Sequence, residues 1–162
     1  EQYIAILAGT GGGNNHGGDT LGFHAEHLAS LKYGNAGRLL AFKLNGGLTL
    51  PRLDLLNNSI PEQPILQSTE FQISRGTELY GEYCAFCHGT AVRAGPALPD
   101  LRMMSNDGHE LFKEIVYEGI LSENGMSSFS DVLSENDVMS IYHYIVKTAS
   151  VDRQIQLEQN NQ

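Results

Sequence analysis

The five residues Cys84-Ala85-Phe86-Cys87-His88 constrain this chain more than any other stretch. C-x-x-C-H is the attachment signature of a c-type haem. Two thiols one helical turn apart can each form a thioether with a vinyl edge of one porphyrin, and the histidine that follows then lies under the iron as an axial ligand. Other uses of the pair fit poorly. A four-ligand zinc site needs a second pair of donors, and the chain has only two cysteines. A thioredoxin-type dithiol needs a βαβ context that is absent around Cys84. The motif therefore predicts one covalent haem c, anchored by Cys84 and Cys87 and ligated by His88.

The sixth ligand has to come from Met103, Met104, Met126, Met139 or another histidine. Met139 falls among core positions of the last predicted helix and reads as packing. Met103 and Met104 follow His88 too closely to carry a ligand around the porphyrin edge. Met126 lies in a loop between two predicted helices, beside Gly125, where the backbone can approach the ring edge, and it is the preferred ligand. A thioether is soft and neutral and favours ferrous iron relative to a second histidine. With both axial positions filled, electron transfer is favoured over oxygen or peroxide chemistry. The alternative is a ligand-binding or sensing haem protein in which Met126 is displaced.

Charge is distributed unevenly. Residues 1–60 hold four acids and four bases, whereas residues 61–162 hold fifteen acids against six bases and carry the whole formal charge of −9. Such a surface disfavours nucleic acid and favours a redox partner with a basic docking face. The length, 162 residues, suits one domain with an appendage. No run approaches a membrane span. The first residue is Glu1, which points to a removed leader or to a fragment.

Along the chain, residues 3–9 and 37–44 are apolar runs that read as strands, the first of them buried. Seven glycines between Gly9 and Gly22 make the intervening stretch a loop. Residues 51–68, with Pro51, Pro61 and Pro64, read as an extended linker. Helical spacing starts at Thr69 and places Ile73, Gly76, Tyr80, Cys84 and Cys87 on one face. Asp107 with Glu110 looks like a capping box opening a second helix that stops at Gly119, and Ser134 with Asp137 looks like another. Residues 150–162 are polar and read as a flexible tail. The Gly-rich run after Ile4-Ala5-Ile6 fails as a dinucleotide fingerprint, because no helix follows to receive a pyrophosphate. His16, His24 and His27 share that loop and read as surface histidines rather than a metal site. His109 and His143 read as structural or solvated. The expected fold class is mainly α: three helices around one haem, with an N-terminal hairpin-like extension.

Residues 69–149 resemble class I cytochromes c through Gly76 and Tyr80, Cys84–His88 with Gly89, Pro99-Asp100-Leu101-Arg102, Gly125-Met126, and Ile141-Tyr142-His143-Tyr144-Ile145. The resemblance implies a close crossing of the first and last helices at Gly76 with an aromatic packed across it. It also implies that a proline carbonyl accepts from the free nitrogen of His88. Pro99 fits that role best, with Gly95-Pro96-Ala97-Leu98 as a competitor, and Arg102 is a candidate partner of a haem propionate. Bacterial members are assembled outside the cytoplasm, so a periplasmic location is expected.

The segments Pro99–Arg102 and Gly125-Met126-Ser127-Ser128-Phe129-Ser130-Asp131-Val132-Leu133 further resemble the C-terminal cytochrome domain of quinohaemoprotein alcohol dehydrogenases. Tyr3–Gly9 and Gly37–Leu44 are similar to the end of the β-propeller in the same family, which makes residues 1–50 a propeller remnant. Thr10 and Ser127 depart from the family pattern, which has Trp and Pro there. Pyrroloquinoline quinone, its calcium and the catalytic aspartate belong to parts of that family upstream of position 1. Neither cofactor is expected in this chain, which reads as an electron carrier and not an enzyme. The implied donor is a quinoprotein dehydrogenase, and the implied acceptor is a cytochrome, a cupredoxin or an oxidase.

Overall fold

A computed structural model describes residues 2–8, 38–49, 59–94 and 98–160. It is mostly helical, with a small two-stranded sheet at its N-terminal end. Strands β1 (Tyr3–Ala8) and β2 (Arg38–Lys43) pair antiparallel, from Tyr3 opposite Lys43 to Ala8 opposite Arg38. The strands match the two apolar runs, but β1 is not buried: Ile4, Ile6 and Leu7 are all exposed, Leu7 at 86 %. The two strands pair only with each other among the described residues, so apolar side chains are left outside on both faces. The Gly-rich loop, with His16, His24 and His27, and residues 50–58 lie outside the described residues.

Helix α1 (Glu70–Leu79) begins at a reciprocal capping box. The Thr69 hydroxyl accepts from the Gln72 backbone N–H at 3.2 Å, and the Gln72 amide oxygen accepts from the Thr69 N–H at 3.0 Å. These bonds satisfy two donors that a helix start otherwise leaves unpaired. The helix runs into a π-helical turn, Tyr80–Cys84, and then the single turn α2 (Ala85–His88). The extra residue in a π turn re-aims the side chains that follow it and is common at functional sites. Here it precedes the C-x-x-C-H motif directly.

Helix α3 (Asn106–Glu110) is capped by Ser105, whose hydroxyl accepts from the Gly108 N–H at 3.2 Å. The cap therefore lies two residues ahead of the expected Asp107, because the Ser105 hydroxyl supplies the acceptor that the first turn needs. A second π turn, Glu114–Glu118, follows and closes at Gly119, the expected stop. Helix α4 (Glu135–Asn160) opens at the Ser134–Asp137 box: the Asp137 N–H donates to Ser134 Oγ at 3.2 Å, and the Ser134 N–H donates to Asp137 Oδ2 at 3.2 Å.

The crossing of α1 over α4 fixes the body. A Cβ at Gly76 would meet the Ser140 carbonyl oxygen at 2.0 Å and Tyr144 Cβ at 2.9 Å, so only glycine lets the two backbones approach this closely. The Tyr80 and Tyr144 rings pack beside this point, 5.2 Å apart. Val138, Ile141 and Ile145 of α4 are buried in one cluster with Leu79, Tyr80 and Val116. Each fully buried aliphatic side chain contributes about 1.5–3 kcal/mol.

The ordered chain does not fray at Ser150. Residues 150–160 continue α4, and Asp152 is buried. Its carboxylate accepts from Arg93 and Arg102, while Gln156 Oε1 accepts from the Ile60 N–H at 2.9 Å. Polar composition suggested a tail, but these polar groups are docked ones. Residues 59–68 lack regular structure, as an extended connector should, yet Ile60 and Gln63 are buried.

Candidate functional site

A cavity of about 290 Å³ opens between α2, α3, α4 and the loop that carries Met126. Cys84, Cys87 and His88 lie on its wall, with Pro99, Met104 and Met126. The rest of the lining is almost entirely apolar, including Leu101, Phe112, Ile115, Ile141 and Ile145, and among the described residues no Asp, Glu, Lys or Arg takes part. A flat apolar group reached by two thiols and an imidazole suits such a wall. Cys84 is buried and Cys87 is exposed. Without an attached group, burial, with the neighbouring Cys87 adding to it, pushes the Cys84 thiol up to about 12.

His88 is 7 % exposed, and its Nδ1 lies 3.0 Å from the Pro99 carbonyl oxygen. A carbonyl can only accept, so Nδ1 carries the proton and Nε2 keeps its lone pair for a metal. The carbonyl also fixes the plane of the ring and raises its basicity as a ligand. Pro99 thus stands where the sequence expects it, while Pro96 lies outside the described residues. Tyr80, fully buried beneath the motif, donates its hydroxyl proton toward the carbonyls of His88 and Gly89, at 3.2 and 2.8 Å. Those carbonyls end the short helix α2 and have no further turn to bond them.

Met126 is half-buried and packs against the core. Its N–H donates to the Leu121 carbonyl at 3.2 Å, and Gly125 just before it has φ +93°, a left-handed turn that a glycine adopts without strain. Three residues on, the Phe129 N–H donates to the Val116 carbonyl at 2.9 Å, and Ser128 Oγ donates to the Tyr117 carbonyl at 2.6 Å. The loop is therefore pinned on both sides of the methionine. Met104 shares the lining, whereas Met103 and Met139 are not part of it. Met139, expected as core packing, is instead 37 % exposed, because it falls on the outer side of α4 between the buried Val138 and Ser140.

Arg102 does not reach the cavity wall. Its guanidinium binds Asp100 through Nε at 3.0 Å and Nη2 at 2.6 Å, and Asp152 through Nη1 at 2.9 Å. Two carboxylates of the protein itself thus meet the guanidinium of the residue named as a candidate propionate partner. His109 lies against Tyr142, with Nδ1 3.1 Å from the hydroxyl, and burial holds its pKa below the ordinary value. Among the described residues no group of three or more His, Cys, Asp or Glu side chains is arranged to hold a metal ion. No helix there is long and apolar enough to cross a membrane.

Residues 71–145 match the family described as cytochrome C oxidase, cbb3-type, subunit III. Over 148 residues the chain is 36 % identical to quinohemoprotein alcohol dehydrogenase ADH IIB of Pseudomonas putida, covering 90 % of this chain and 20 % of that protein. It is 33 % identical to ADH-IIG of the same species over 153 residues, 92 % of this chain and 20 % of that protein. The solved structure of ADHIIG from Pseudomonas putida HK5 superposes with a TM-score of 0.69 at 30 % identity, covering 92 % of this chain and 21 % of that one. The chain spans about a fifth of the length of the dehydrogenases it matches.

Proposed function

Since residues 71–145 form a cytochrome c domain similar to that of quinohaemoprotein alcohol dehydrogenases, we propose that the chain carries one covalent haem c, with His88 and Met126 as axial ligands, and passes single electrons. The observation that carries this is the approach of His88 Nδ1 to the Pro99 carbonyl oxygen, which calls for a proton on that nitrogen. The Pro99 carbonyl takes Nδ1–H at 3.0 Å and leaves Nε2 for iron, in an apolar cavity that both cysteines line.

A bound haem supplies a ferric–ferrous couple tuned by its axial ligands and surroundings. The chain's own residues do the rest. Cys84 and Cys87 hold the porphyrin edge, and Pro99 orients the imidazole. Met126 offers a neutral sulfur from a pinned loop. The uncharged wall keeps the local dielectric low, which favours the form of lower charge.

On this basis the chain is an electron carrier, and alcohol oxidation belongs to segments outside it. The donor is a quinoprotein dehydrogenase unit, within one parent chain or separate from it. The acceptor is a cytochrome, cupredoxin or oxidase with a basic face that suits the acidic residues 61–162. A periplasmic setting fits both the haem attachment and the relatives. Residues 1–50 act as a remnant of the adjoining propeller, and residues 51–68 as the connector.

The test is optical. The reduced haem-loaded chain should give a low-spin spectrum indifferent to carbon monoxide, and Met126→Ala should abolish the thioether-to-iron charge-transfer band while Met104→Ala keeps it. A band that survives in Met126→Ala transfers the role to Met104. A wild-type spectrum that shifts with carbon monoxide would instead support a ligand-binding or sensing haem.

A further inference from the structure

We infer that Asp152, in the C-terminal extension of α4, is a positioning residue for the haem ligand His88, acting through Arg102 and Asp100 on the Pro99 carbonyl. The inference rests on His88 being the axial ligand.

Four charged side chains meet at this point. Asp152 Oδ2 accepts from Arg93 Nε at 2.9 Å and from Arg102 Nη1 at 2.9 Å, and its Oδ1 accepts from Arg93 Nη2 at 2.8 Å. Arg102 in turn grips Asp100 with Nε at 3.0 Å and Nη2 at 2.6 Å, and its own N–H donates to Asp100 Oδ1 at 3.0 Å. The cluster balances two positive and two negative charges, with Asp152 8 % and Arg102 14 % exposed at the side chain. Burial opposes ionisation of Asp152, but the bonds from Arg93 and Arg102 outweigh it and hold the carboxyl below its ordinary range.

The position of the cluster gives it leverage. The Pro99 carbonyl belongs to the peptide bond that enters Asp100, so clamping Asp100 fixes the acceptor of His88 Nδ1–H. The other arm of Asp152 holds Arg93, whose carbonyl lies over the residue after the ligand: a Cβ on Gly89 would meet Arg93 O at 2.1 Å. Both flanks of the chain that returns past His88 are therefore tied to one carboxylate on a helix. Gln63 Nε2 donates to the Arg102 carbonyl at 3.2 Å and to the Pro61 carbonyl at 3.0 Å, which brings the connector onto the same clamp.

A firm acceptor on Nδ1–H makes the imidazole a stronger donor to iron and favours the ferric form. Loosening it should raise the midpoint potential and expose the ring N–H to solvent. A direct effect of charge alone separates from this by sign. Removing the Asp152 charge raises the potential on either account, whereas removing the Arg102 charge lowers it by field alone and raises it by loosening.

The experiment uses the haem-loaded full chain, with Asp152→Asn, Asp152→Glu and Arg102→Gln, and reads the midpoint potential together with exchange of the His88 ring N–H by NMR. Expected are a raised potential and at least tenfold faster exchange in both Asp152→Asn and Arg102→Gln, with Asp152→Glu close to the native values. A potential that falls in Arg102→Gln, or unchanged exchange in Asp152→Asn, overturns the role. So does failure of all three variants to take up haem, which would make the cluster a folding element only. A native chain that lacks a His-ligated haem spectrum would defeat the functional reading itself, a result separate from any of these.

Discussion

The strands of the hairpin are almost wholly apolar yet leave their side chains exposed, whereas the helical body, with a smaller apolar share, buries its own. In the body Val138, Ile141 and Ala149 are fully buried, whereas Leu7 and Leu39 of the hairpin are 86 % and 68 % exposed. Alternating or continuous hydrophobicity specifies a strand; only a second layer converts it into stability. The body supplies that layer from its own sequence, with α4 across α1. The hairpin has six residues per strand and no covering layer among the described residues. An isolated two-stranded ribbon of this size is marginal in water. The body is a domain, and the hairpin is a surface that needs a neighbour.

The contrast is most open to attack at Gly76. Gly76→Val places side-chain carbon against the Ser140 carbonyl, a backbone atom that cannot swing aside as a side-chain end could. The crossing should open at a cost of about 3 kcal/mol or more, the upper range for overpacking, read as loss of the cooperative melt or a large fall in midpoint. The matching insult to the hairpin, Leu39→Ser, should change body stability by no more than about 0.5 kcal/mol.

A smaller effect should appear in acid. Asp152 has its folded pKa depressed, so its contribution is present above the unfolded value near 3.8 and is lost as pH falls through the folded value. At neutral pH Asp152→Asn should lower stability by about 2 kcal/mol, a discounted figure for a partly screened buried pair. Melts of the two proteins should converge as pH drops from 5 toward 2. A gap that stays constant across that range would mean that the carboxylate charge contributes nothing to the clamp.

Smallest of all should be the consequence of removing residues 1–50. Haem spectrum and potential should stay almost unchanged, because none of the described residues of that segment lines the cavity. A large loss of haem incorporation would make the hairpin part of the haem fold and erase the distinction between the two regions.

What the sequence revealed follows the range of the interactions involved. The haem motif, the start at Thr69, the Ser134–Asp137 box and the stop at Gly119 are signals within a few residues, and each stands where it was expected. Pro99 and Gly76 were legible only through resemblance, since their partners His88 and Ser140 are set by the fold. Ser105 has Gly108 and not Glu or Gln at the third position after it, so the capping-box pattern points to Asp107 and Glu110 instead. The end of α4 is hidden from the sequence for a different reason. Asp152 gains its role from Arg93 and Arg102, fifty or more positions away, and no local pattern announces a carboxylate that will be shared between two distant guanidinium groups. The apolar spacing of Val151 and Ile155, four apart, was the one hint that helix continued. The resemblance makes Arg102 a candidate partner of a propionate, and the carboxylates it meets in the fold, those of Asp100 and Asp152, come from far along the chain or from its own turn and could not be read from that resemblance.

Tyr80 has a consequence for which electrons stay in place. Its hydroxyl proton faces the carbonyls of His88 and Gly89, and burial, reinforced by the nearby Cys84, pushes the phenol pKa above its ordinary value. A phenol surrenders an electron easily only when some base accepts its proton, and an amide carbonyl is no such base. This ring is thus insulated as a reductant, although it is aromatic, in the core and bonded to the end of the attachment motif. A tyrosyl radical at position 80 after mild oxidation would contradict this. Without one, an oxidised haem would have to draw its electron from somewhere other than Tyr80.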